Sequence, residues 1–277
     1  MGHGEFLTEE EYSQFTLNEE IYRYLEECRQ SLGLKKKEMN ILDWGCGRGL
    51  SVAWLRERGY NAFGVEIEPM TIQHGKAMLE SHGHDVSHII SPINDDCIVN
   101  YPDNFFHFVF STQVLEHVEN MDLVASEIYR ITKPGGYGLH VFPSHHHIIE
   151  AHLSMPFVHW LPKNNIRKSA IFLFTLCGIR PYWGEDLKDK SFIDKAITYY
   201  EYSIKLTHYR DLPTIRNIFQ IKGLSAKSVS INHPVFTKKK LITDLLKISY
   251  IRSMIDWAVN NFKTVELFTI KPNTDNL

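Results

Sequence analysis

The chain has 277 residues, long enough for one large domain or for one domain that carries a sizeable insertion. A hydrophobic content of 43% with 23% charged residues is ordinary for a soluble globular protein. The net charge of −3 supplies no basic field for nucleic acid, and no apolar run approaches the ~20 residues that span a bilayer. The cysteines show no metal-ligand spacing, and the polar N-terminus lacks the apolar segment of a signal peptide. We therefore predict a cytoplasmic protein with reduced thiols and no nucleic-acid partner.

Strands alternate with helices through the first half of the chain. Residues 5–32 have helical periodicity and end at Gly33, which can terminate a helix. Five apolar runs after residue 38 predict strands at Asn40–Trp44, Ala62–Ile67, Val86–Ile90, Phe105–Ser111 and Tyr137–Phe142. Amphipathic segments between them predict helices over Leu50–Arg58, Met70–Ser81 and Asp122–Ile131. Strand–helix units in this succession predict a mostly parallel, doubly wound sheet.

The alternation stops after the fifth strand. Residues 144–215 are rich in histidine, proline and aromatic residues, and we predict that they form a helical cap over the sheet. Strands at Ala226–Ile231 and Val265–Ile270 would complete that sheet, with an amphipathic helix over about 239–260 between them. A lysine run, Lys238–Lys240, precedes this helix, so the helix could lie on a membrane. Covering one face of the sheet is the favoured alternative.

The predicted architecture is an α/β, Rossmann-like fold with a seven-stranded sheet and a helical cap inserted after the fifth strand. We divide the chain into an N-terminal helical segment (1–38), a core (39–143), the cap (144–215) and a C-terminal part that completes the sheet (216–277). Ligands of open α/β sheets bind beyond the carboxyl ends of the strands, so the turns at that edge are the expected site.

A glycine-rich turn follows the first predicted strand. Gly45, Gly47 and Gly49 permit a tight turn and let a ligand approach the backbone at a helix N-terminus. Their G-x-G-x-G spacing differs from the G-x-G-x-x-G pattern that seats a pyrophosphate. Asp43 lies two residues before the first glycine, and its carboxylate would repel a pyrophosphate but attract an ammonium group. The turn therefore disfavours a nicotinamide-dependent oxidoreductase.

A second acidic residue, Glu66, ends the second predicted strand. A carboxylate at this point can accept hydrogen bonds from both hydroxyls of a ribose. Asp43 and Glu66 could instead be ordinary carboxylates at strand ends. Together, at the same edge of neighbouring strands, they favour a nucleoside that carries an amino acid and no phosphate. S-adenosylmethionine has this composition.

Four ordered motifs resemble those of one family. The segment Ile41–Gly49 (ILDWGCGRG) is similar to the first motif of class I S-adenosylmethionine-dependent methyltransferases, and Gly64–Pro69 (GVEIEP) is similar to their second. The segments Tyr101–Val118 and Glu127–Gly136 resemble the type 11-like, small-molecule subfamily. One departure is His107, where this subfamily usually has Asp in a supporting position.

The resemblance implies that the glycine turn and the carboxylate before it hold the methionine end of the cofactor, while the acid after the second strand holds the ribose. An aspartate just before the fourth strand would flank the adenine, and the backbone after that strand would close the site. The candidate cofactor-binding residues are therefore Asp43, Gly45, Cys46, Gly47, Glu66, Ile67, Asp95, Asp96 and Gln113.

The methyl acceptor is expected after the fifth strand, where histidines are concentrated. His145, His146 and His152 are the candidates for a general base, because imidazole titrates near neutral pH and a hydroxyl nucleophile must lose its proton. The histidines could instead be polar cap residues without a chemical role. Two of them with a carboxylate could bind a divalent ion, but no strict ligand spacing appears and we predict no metal site.

The favoured hypothesis is an enzyme that O-methylates a small molecule or a glycan with a histidine base. The segment His152–Pro162 resembles a cap segment of methyltransferases encoded with bacterial glycan genes. Its aromatic residues, Phe157 and Trp160, suit a polyhydroxylated acceptor but could equally form an apolar lid. One alternative is C- or N-methylation of a quinone-like or amine acceptor. Another is a non-catalytic protein that binds S-adenosylmethionine.

Overall fold

The structure is a computed structural model that describes residues 8–94, 96–232, 243 and 245–273. Within these residues the strands are β1 (Asn40–Trp44), β2 (Asn61–Glu66), β3 (Ile90–Pro92), β4 (Phe106–Thr112), β5 (Thr132–Pro143), β6 (Ser225–Ser228) and β7 (Thr264–Ile270). The α-helices are α1 (Glu9–Gln14), α2 (Glu19–Ser31), α3 (Leu50–Glu57), α4 (Pro69–Ser81), α5 (Met121–Ile131), α6 (Asn165–Leu176), α7 (Phe192–Lys205), α8 (Leu212–Ile221) and α9 (Ser249–Phe262).

The N-terminal part has two helices, α1 and α2, where the sequence predicted one. The cause is local, because Asn18 caps a new helix: its side-chain oxygen accepts hydrogen bonds from the backbone N–H groups of Glu20 and Ile21. Three buried side chains, Ile21, Leu25 and Cys28, then lie on one side of α2 and face the sheet.

The sheet has the strand order β3-β2-β1-β4-β5-β7-β6. Strands β1 to β5 pair in parallel, whereas β7 runs antiparallel to both β5 and β6. The predicted seven-stranded, mostly parallel sheet is therefore confirmed. The strand order reverses between β1 and β4, and the crevice outside the carboxyl ends of these two strands is where open α/β sheets bind ligands.

The third strand is the element that the sequence placed least well. It was predicted at Val86–Ile90, but β3 spans Ile90–Pro92. Asp85 accepts hydrogen bonds from the backbone N–H and the hydroxyl of Ser87, which makes a turn of the segment that was expected to be extended.

Hydrophobic side chains cover both faces of the sheet. On β4, Phe108 and Phe110 pack with the residues of α2 and α3, and Val109 packs on the opposite face with those of α5 and α8. All three are at most 1% exposed. The unbroken apolar run of this strand is explained by burial on both sides.

The cap has a small core of its own, formed by Leu153, Met155, Val158, Ile171 and Tyr199. This cluster joins the loop after β5 to α6 and α7. The predicted end of the cap, after residue 215, falls inside α8. That helix packs against α5 through the core cluster of the sheet.

The last described helix, α9, covers the second half of the segment predicted to be helical at 239–260. Residues 233–242 and 244, which include the lysine run, lie outside the described residues. Val259 and Asn260 of α9 are buried, whereas Tyr250 and Trp257 are 72% and 62% exposed. Among the described helices, none combines the length and the apolar character that crossing a bilayer requires.

Candidate functional site

The glycine turn between β1 and α3 is held against β2. The backbone N–H groups of Gly45 and Cys46 both donate to the carbonyl oxygen of Val65. Gly45 has φ +78, and a Cβ added to it would lie 2.4 Å from Cγ2 of Val114. Gly47, with φ +53, has open space where a Cβ would stand. Only glycine therefore combines the turn's left-handed backbone with its close contact to the loop after β4.

Asp43 is 5% exposed at the end of β1 and accepts a hydrogen bond from the Ser51 hydroxyl. Burial raises the pKa of Asp43 to about 7; the Ser51 hydrogen bond opposes this shift and the charge of Glu66 adds to it. A buried carboxylate with no positive partner among its described neighbours favours a cationic ligand, and an ammonium group supplies that charge.

Glu66 holds the turn through its carboxylate. One oxygen accepts from the backbone N–H of Gly47 at 2.9 Å, and the other accepts from those of Ile67 and Glu68 at 2.7 and 3.1 Å. These bonds fix the carboxylate at the end of β2, the position expected for a ribose contact. Ile67, the next residue, is 65% exposed and presents an apolar surface there.

The Cys46 side chain does not face the crevice. A Cβ added to Gly64 would lie 2.5 Å from the Cys46 sulfur, so the thiol packs against β2. Burial raises the pKa of this thiol well above its usual range. Only the backbone of Cys46 is available to a ligand.

Two of the remaining candidate cofactor residues, Gln113 and Asp96, are exposed. Gln113 has φ +56, and its backbone N–H donates to the carbonyl of Val141, which turns the chain sharply after β4. Asp96 is exposed and accepts a hydrogen bond from the backbone N–H of Ile98 at 3.1 Å. Asp95 lies outside the described residues.

The three candidate bases occupy different surroundings. His145 is half-buried, its Nδ1 has no hydrogen-bond partner among the described residues, and burial lowers its pKa. The His146 ring lies 4.9 Å from that of His145, and no hydrogen bond from the described residues engages its nitrogens. His152 lies beside residues of the loop after β4.

A buried cluster forms where that loop meets the cap. Glu116 is 2% exposed, and neither carboxylate oxygen has a hydrogen-bond partner among the described residues. Oε1 of Glu116 lies 3.7 Å from Nε2 of His152, and the ring centroids of His117 and His152 are 4.6 Å apart. We call these three residues, Glu116, His117 and His152, the EHH cluster.

Residues around the EHH cluster fix its members. Glu150 is buried, and its carboxylate accepts hydrogen bonds from the backbone N–H of His152 at 2.9 Å and from the Tyr209 hydroxyl at 2.6 Å. The backbone N–H of His208 donates to the carbonyl of Glu116. The segment 206–211 thus ties the cap to the loop after β4. We call this loop, the start of the cap and the segment 206–211 the acceptor side, because the methyl acceptor is expected there.

Residues 42–139, which include the glycine turn, Glu66 and the EHH residues Glu116 and His117, match the family described as a methyltransferase domain. The chain carries a class I S-adenosylmethionine-dependent methyltransferase domain. Its cofactor is S-adenosylmethionine. The recognition made from the four motifs is confirmed.

Relatives of the methyltransferase domain include enzymes that differ in the atom they methylate, because their names specify C-, O- and N-methyltransferases. The chain is 32% identical over 97 residues to 2-methyl-6-phytyl-1,4-hydroquinone methyltransferase of Synechocystis sp., which covers 35% of the chain and 29% of the relative. It is 26% identical over 102 residues to ubiquinone biosynthesis O-methyltransferase of Rickettsia conorii, with coverages of 37% and 34%. The matched segment thus spans about a third of each relative's length.

The fold of the whole chain also has a relative of known structure. A protein from Galdieria sulphuraria, provisionally assigned as a sarcosine dimethylglycine methyltransferase, superimposes with a TM-score of 0.50 at 16% identity. The superposition covers 98% of this chain and 93% of that protein. At this identity the similarity concerns the fold, and it agrees with the α/β architecture described above.

The residues of the methyltransferase domain fit this cofactor. The buried Asp43 carboxylate provides the negative charge that the cofactor's ammonium group requires, and Glu66 provides acceptors beside an exposed apolar residue. The open space at Gly47 leaves room against the backbone of the turn. Asp43, Glu66 and the glycine turn are therefore the residues that would hold it.

The residues of the acceptor side that were absent from the sequence prediction include Glu116 and Tyr209. Glu116 could have been noticed in the sequence, because a carboxylate within the largely apolar segment Val114–Val118 is unusual for a loop that follows a buried strand. Tyr209 could not, since nothing near it in the sequence distinguishes it from the other tyrosines. His107, the departure from the family pattern, accepts a hydrogen bond from the backbone N–H of Asn40 and joins the ends of two strands.

Proposed function

We propose that this chain is an O-methyltransferase that transfers the methyl group of S-adenosylmethionine to a hydroxyl of a small, polyhydroxylated acceptor, with His146 as the general base. The observation that carries the proposal is the His146 ring. It is half-buried just beyond the end of β5, and its nitrogens are engaged by no hydrogen bond from the described residues. An imidazole in this state can accept a proton from a bound hydroxyl.

The cofactor, when bound, supplies a methyl group on a positively charged sulfur, and the bond's electron pair stays on the sulfur as the methyl group leaves. The chain's own contribution is alignment, which accounts for most of the acceleration in such displacements. Asp43 and Glu66 hold the two ends of the cofactor on the rigid edge of β1 and β2. His146 takes the hydroxyl proton on a ring nitrogen as the oxygen attacks.

The other two candidate bases suit this role less well. Burial lowers the pKa of His145, and its Nδ1 is shielded from solvent. His152 directs Nε2 toward the buried Glu116 carboxylate rather than toward solvent. His146 is thus the histidine of the predicted three that an acceptor can reach directly.

Aromatic side chains at the rim support a polyhydroxylated acceptor. Phe157 and Trp160 are 45% and 41% exposed, and their ring centroids are 4.9 Å apart. The indole N–H of Trp160 donates to the carbonyl of His145, which fixes the ring against the backbone of the residue that precedes the proposed base. Exposed aromatic faces next to polar groups are suited to sugars and other hydroxylated rings.

The test is a methyl-transfer assay with labelled S-adenosylmethionine against phenols, sugars and amines, together with calorimetry of S-adenosylhomocysteine binding. We expect methylation of a hydroxyl, and we expect His146→Ala to lower turnover about 100-fold with unchanged cofactor affinity. The matched control is His147→Ala, because the Nδ1 of His147 is already bonded to the carbonyl of Ile149. Full turnover by His146→Ala, or methylation confined to amines or carbon atoms, would contradict the proposal.

A further inference from the structure

The EHH cluster contains more unsatisfied polar atoms than its surroundings explain. Glu116, His117 and His152 each offer one ligand atom, and these three atoms lie within 4.8 Å of one another. Both oxygens of Glu116 and Nε2 of His152 are buried and lack a hydrogen-bond partner among the described residues. Buried polar groups rarely lack a hydrogen-bond partner, and several such groups in one place indicate a site for a ligand.

The separation within the EHH cluster is too long for a hydrogen bond. Nε2 of His152 and Oε1 of Glu116 are 3.7 Å apart, while a charge-assisted N–H···O bond spans about 2.7–2.9 Å. The side chain of Glu116 is only 1% exposed, so solvent does not replace the missing partner. A cation between the carboxylate and the imidazoles would satisfy all three groups at once.

The tautomer of His117 is set by its neighbour. Nδ1 of His117 lies 2.5 Å from the carbonyl oxygen of Leu206, and a carbonyl only accepts hydrogen bonds. Nδ1 therefore carries the proton, and Nε2 keeps its lone pair. Imidazoles that bind metals commonly donate their other N–H to a carbonyl in this way, which orients the ring.

The position of His152 is also fixed by residues outside the cluster. Its backbone N–H donates to Glu150, whose other oxygen accepts from the Tyr209 hydroxyl. A supporting layer of this kind holds a ligand set in place before any ion arrives. The EHH cluster thus takes its ligand atoms from two segments far apart in sequence. Hydrogen bonds from outside the cluster orient two of its members, His117 and His152.

We propose that the EHH cluster binds a divalent transition-metal ion, Zn²⁺ or one of similar size. Two imidazoles and one carboxylate are a ligand set that such ions accept and that leaves coordination positions open. Mg²⁺ is a poorer match, because it prefers oxygen ligands. In the absence of an ion, Glu116 and His152 would form only a loose buried pair.

The ion's role rests on the proposed function. An acceptor oxygen in an open coordination position would lose its proton more readily, because a bound cation lowers the pKa of a coordinated hydroxyl. The proton leaves the hydroxyl for His146, and the oxygen keeps the electron pair for the attack. His152 then acts as a ligand, which agrees with the position of its Nε2 beside the buried Glu116 carboxylate.

The test is a titration of the chelator-treated, full-length protein with Co²⁺, followed by visible absorption, and with Zn²⁺, followed by calorimetry. We expect one ion per chain. Glu116→Gln and His152→Ala should each weaken binding about 100-fold, at least as much as the loss of a supporting residue usually costs. The matched control is Glu119→Gln, the same change at an exposed residue of the same loop. S-adenosylhomocysteine binding checks that each variant folds.

The outcomes separate this inference from the proposed function. The absence of stoichiometric binding, or unchanged binding by folded Glu116→Gln and His152→Ala, would overturn the metal site even if hydroxyl methylation is observed. Stoichiometric binding that both variants lose would support it even if the acceptor proves to be an amine. Hydroxyl methylation in metal-free protein at the full rate would overturn the catalytic role of the ion.

Discussion

The cofactor side and the acceptor side of this molecule are built in different ways. On the cofactor side, Asp43, the glycine turn and Glu66 lie within 24 consecutive residues. Asp43 and Glu66 lie at the ends of β1 and β2, and the glycine turn follows β1 directly. On the acceptor side, the site is assembled from the loop after β4, the start of the cap and the segment 206–211. The backbone defines the first site, and packing between distant segments defines the second.

The two sides also differ in how well their polar groups are satisfied. On the cofactor side, Glu66 accepts three backbone hydrogen bonds, which fix the glycine turn against the end of β2. Glu116, His145 and His152 on the acceptor side each have buried polar atoms without a partner among the described residues. The hydrogen bonds of Glu66 thus mark a preformed turn, whereas the unpaired buried atoms of the acceptor side mark a region whose polar groups need a ligand.

The largest effect is expected from Gly45→Ala on the cofactor side. The added Cβ would meet Val114 at 2.4 Å in a left-handed backbone, so the turn must shift. We expect S-adenosylhomocysteine affinity to fall about 100-fold and the free energy of unfolding to fall by about 1–3 kcal/mol.

The control for this change is Gly59→Ala, where φ is +86 but a Cβ would have open space. It should cost about 1 kcal/mol in stability from backbone strain and leave affinity unchanged. Equal affinities of the two variants, measured by calorimetry, would contradict the view that the backbone defines the cofactor side.

A change that should leave methyl transfer intact would test whether every unsatisfied buried carboxylate marks a ligand. Glu266 on β7 belongs to neither side, is 6% exposed, and has one oxygen without a partner among the described residues. Burial raises its pKa to about 7; the charge of Glu20 adds to the shift and that of Arg23 opposes it. A pKa above the unfolded value of about 4.5 means that the protonated form favours folding, so stability falls as pH rises from about 4.5 to 7.

Replacement of Glu266 by Gln removes this titration. We expect Glu266→Gln to raise the free energy of unfolding by up to about 3 kcal/mol at pH 8 and to change it little at pH 4, with methyl transfer intact. Denaturant unfolding at the two pH values measures the difference. Loss of turnover in this variant would show that the site extends beyond the two sides described.

The sequence predicted the fold, and the placement of Asp43 and Glu66 at strand ends, well for a physical reason. Strand periodicity, glycine turns and strand-end carboxylates are local features, so the parallel sheet and the positions of Asp43 and Glu66 could be read directly. Two local details were missed, the cap of α2 at Asn18 and the turn at Asp85. In both places, side-chain hydrogen bonds to backbone groups two or three residues away outweighed the apolar pattern.

The acceptor side could be predicted only in part. The histidines after β5 were found by composition, but their separate surroundings depend on how the cap folds back. Tyr209 and Glu150 are 59 residues apart in sequence, and His117 and Leu206 are 89 apart. Contacts between residues so far apart leave no local pattern in the sequence, so the EHH cluster could be identified only from the structure.

Calorimetric titration with S-adenosylhomocysteine, for wild type and Asp43→Asn at pH 8 and pH 6, tests whether the Asp43 carboxylate holds the cofactor. Because the pKa of Asp43 is about 7 and the ligand's ammonium group requires the ionised form, wild-type affinity should be about tenfold weaker at pH 6. The variant should bind at least about tenfold more weakly than wild type at pH 8 and lose this pH dependence. No binding by wild type, or wild-type affinity in the folded variant, would contradict the account.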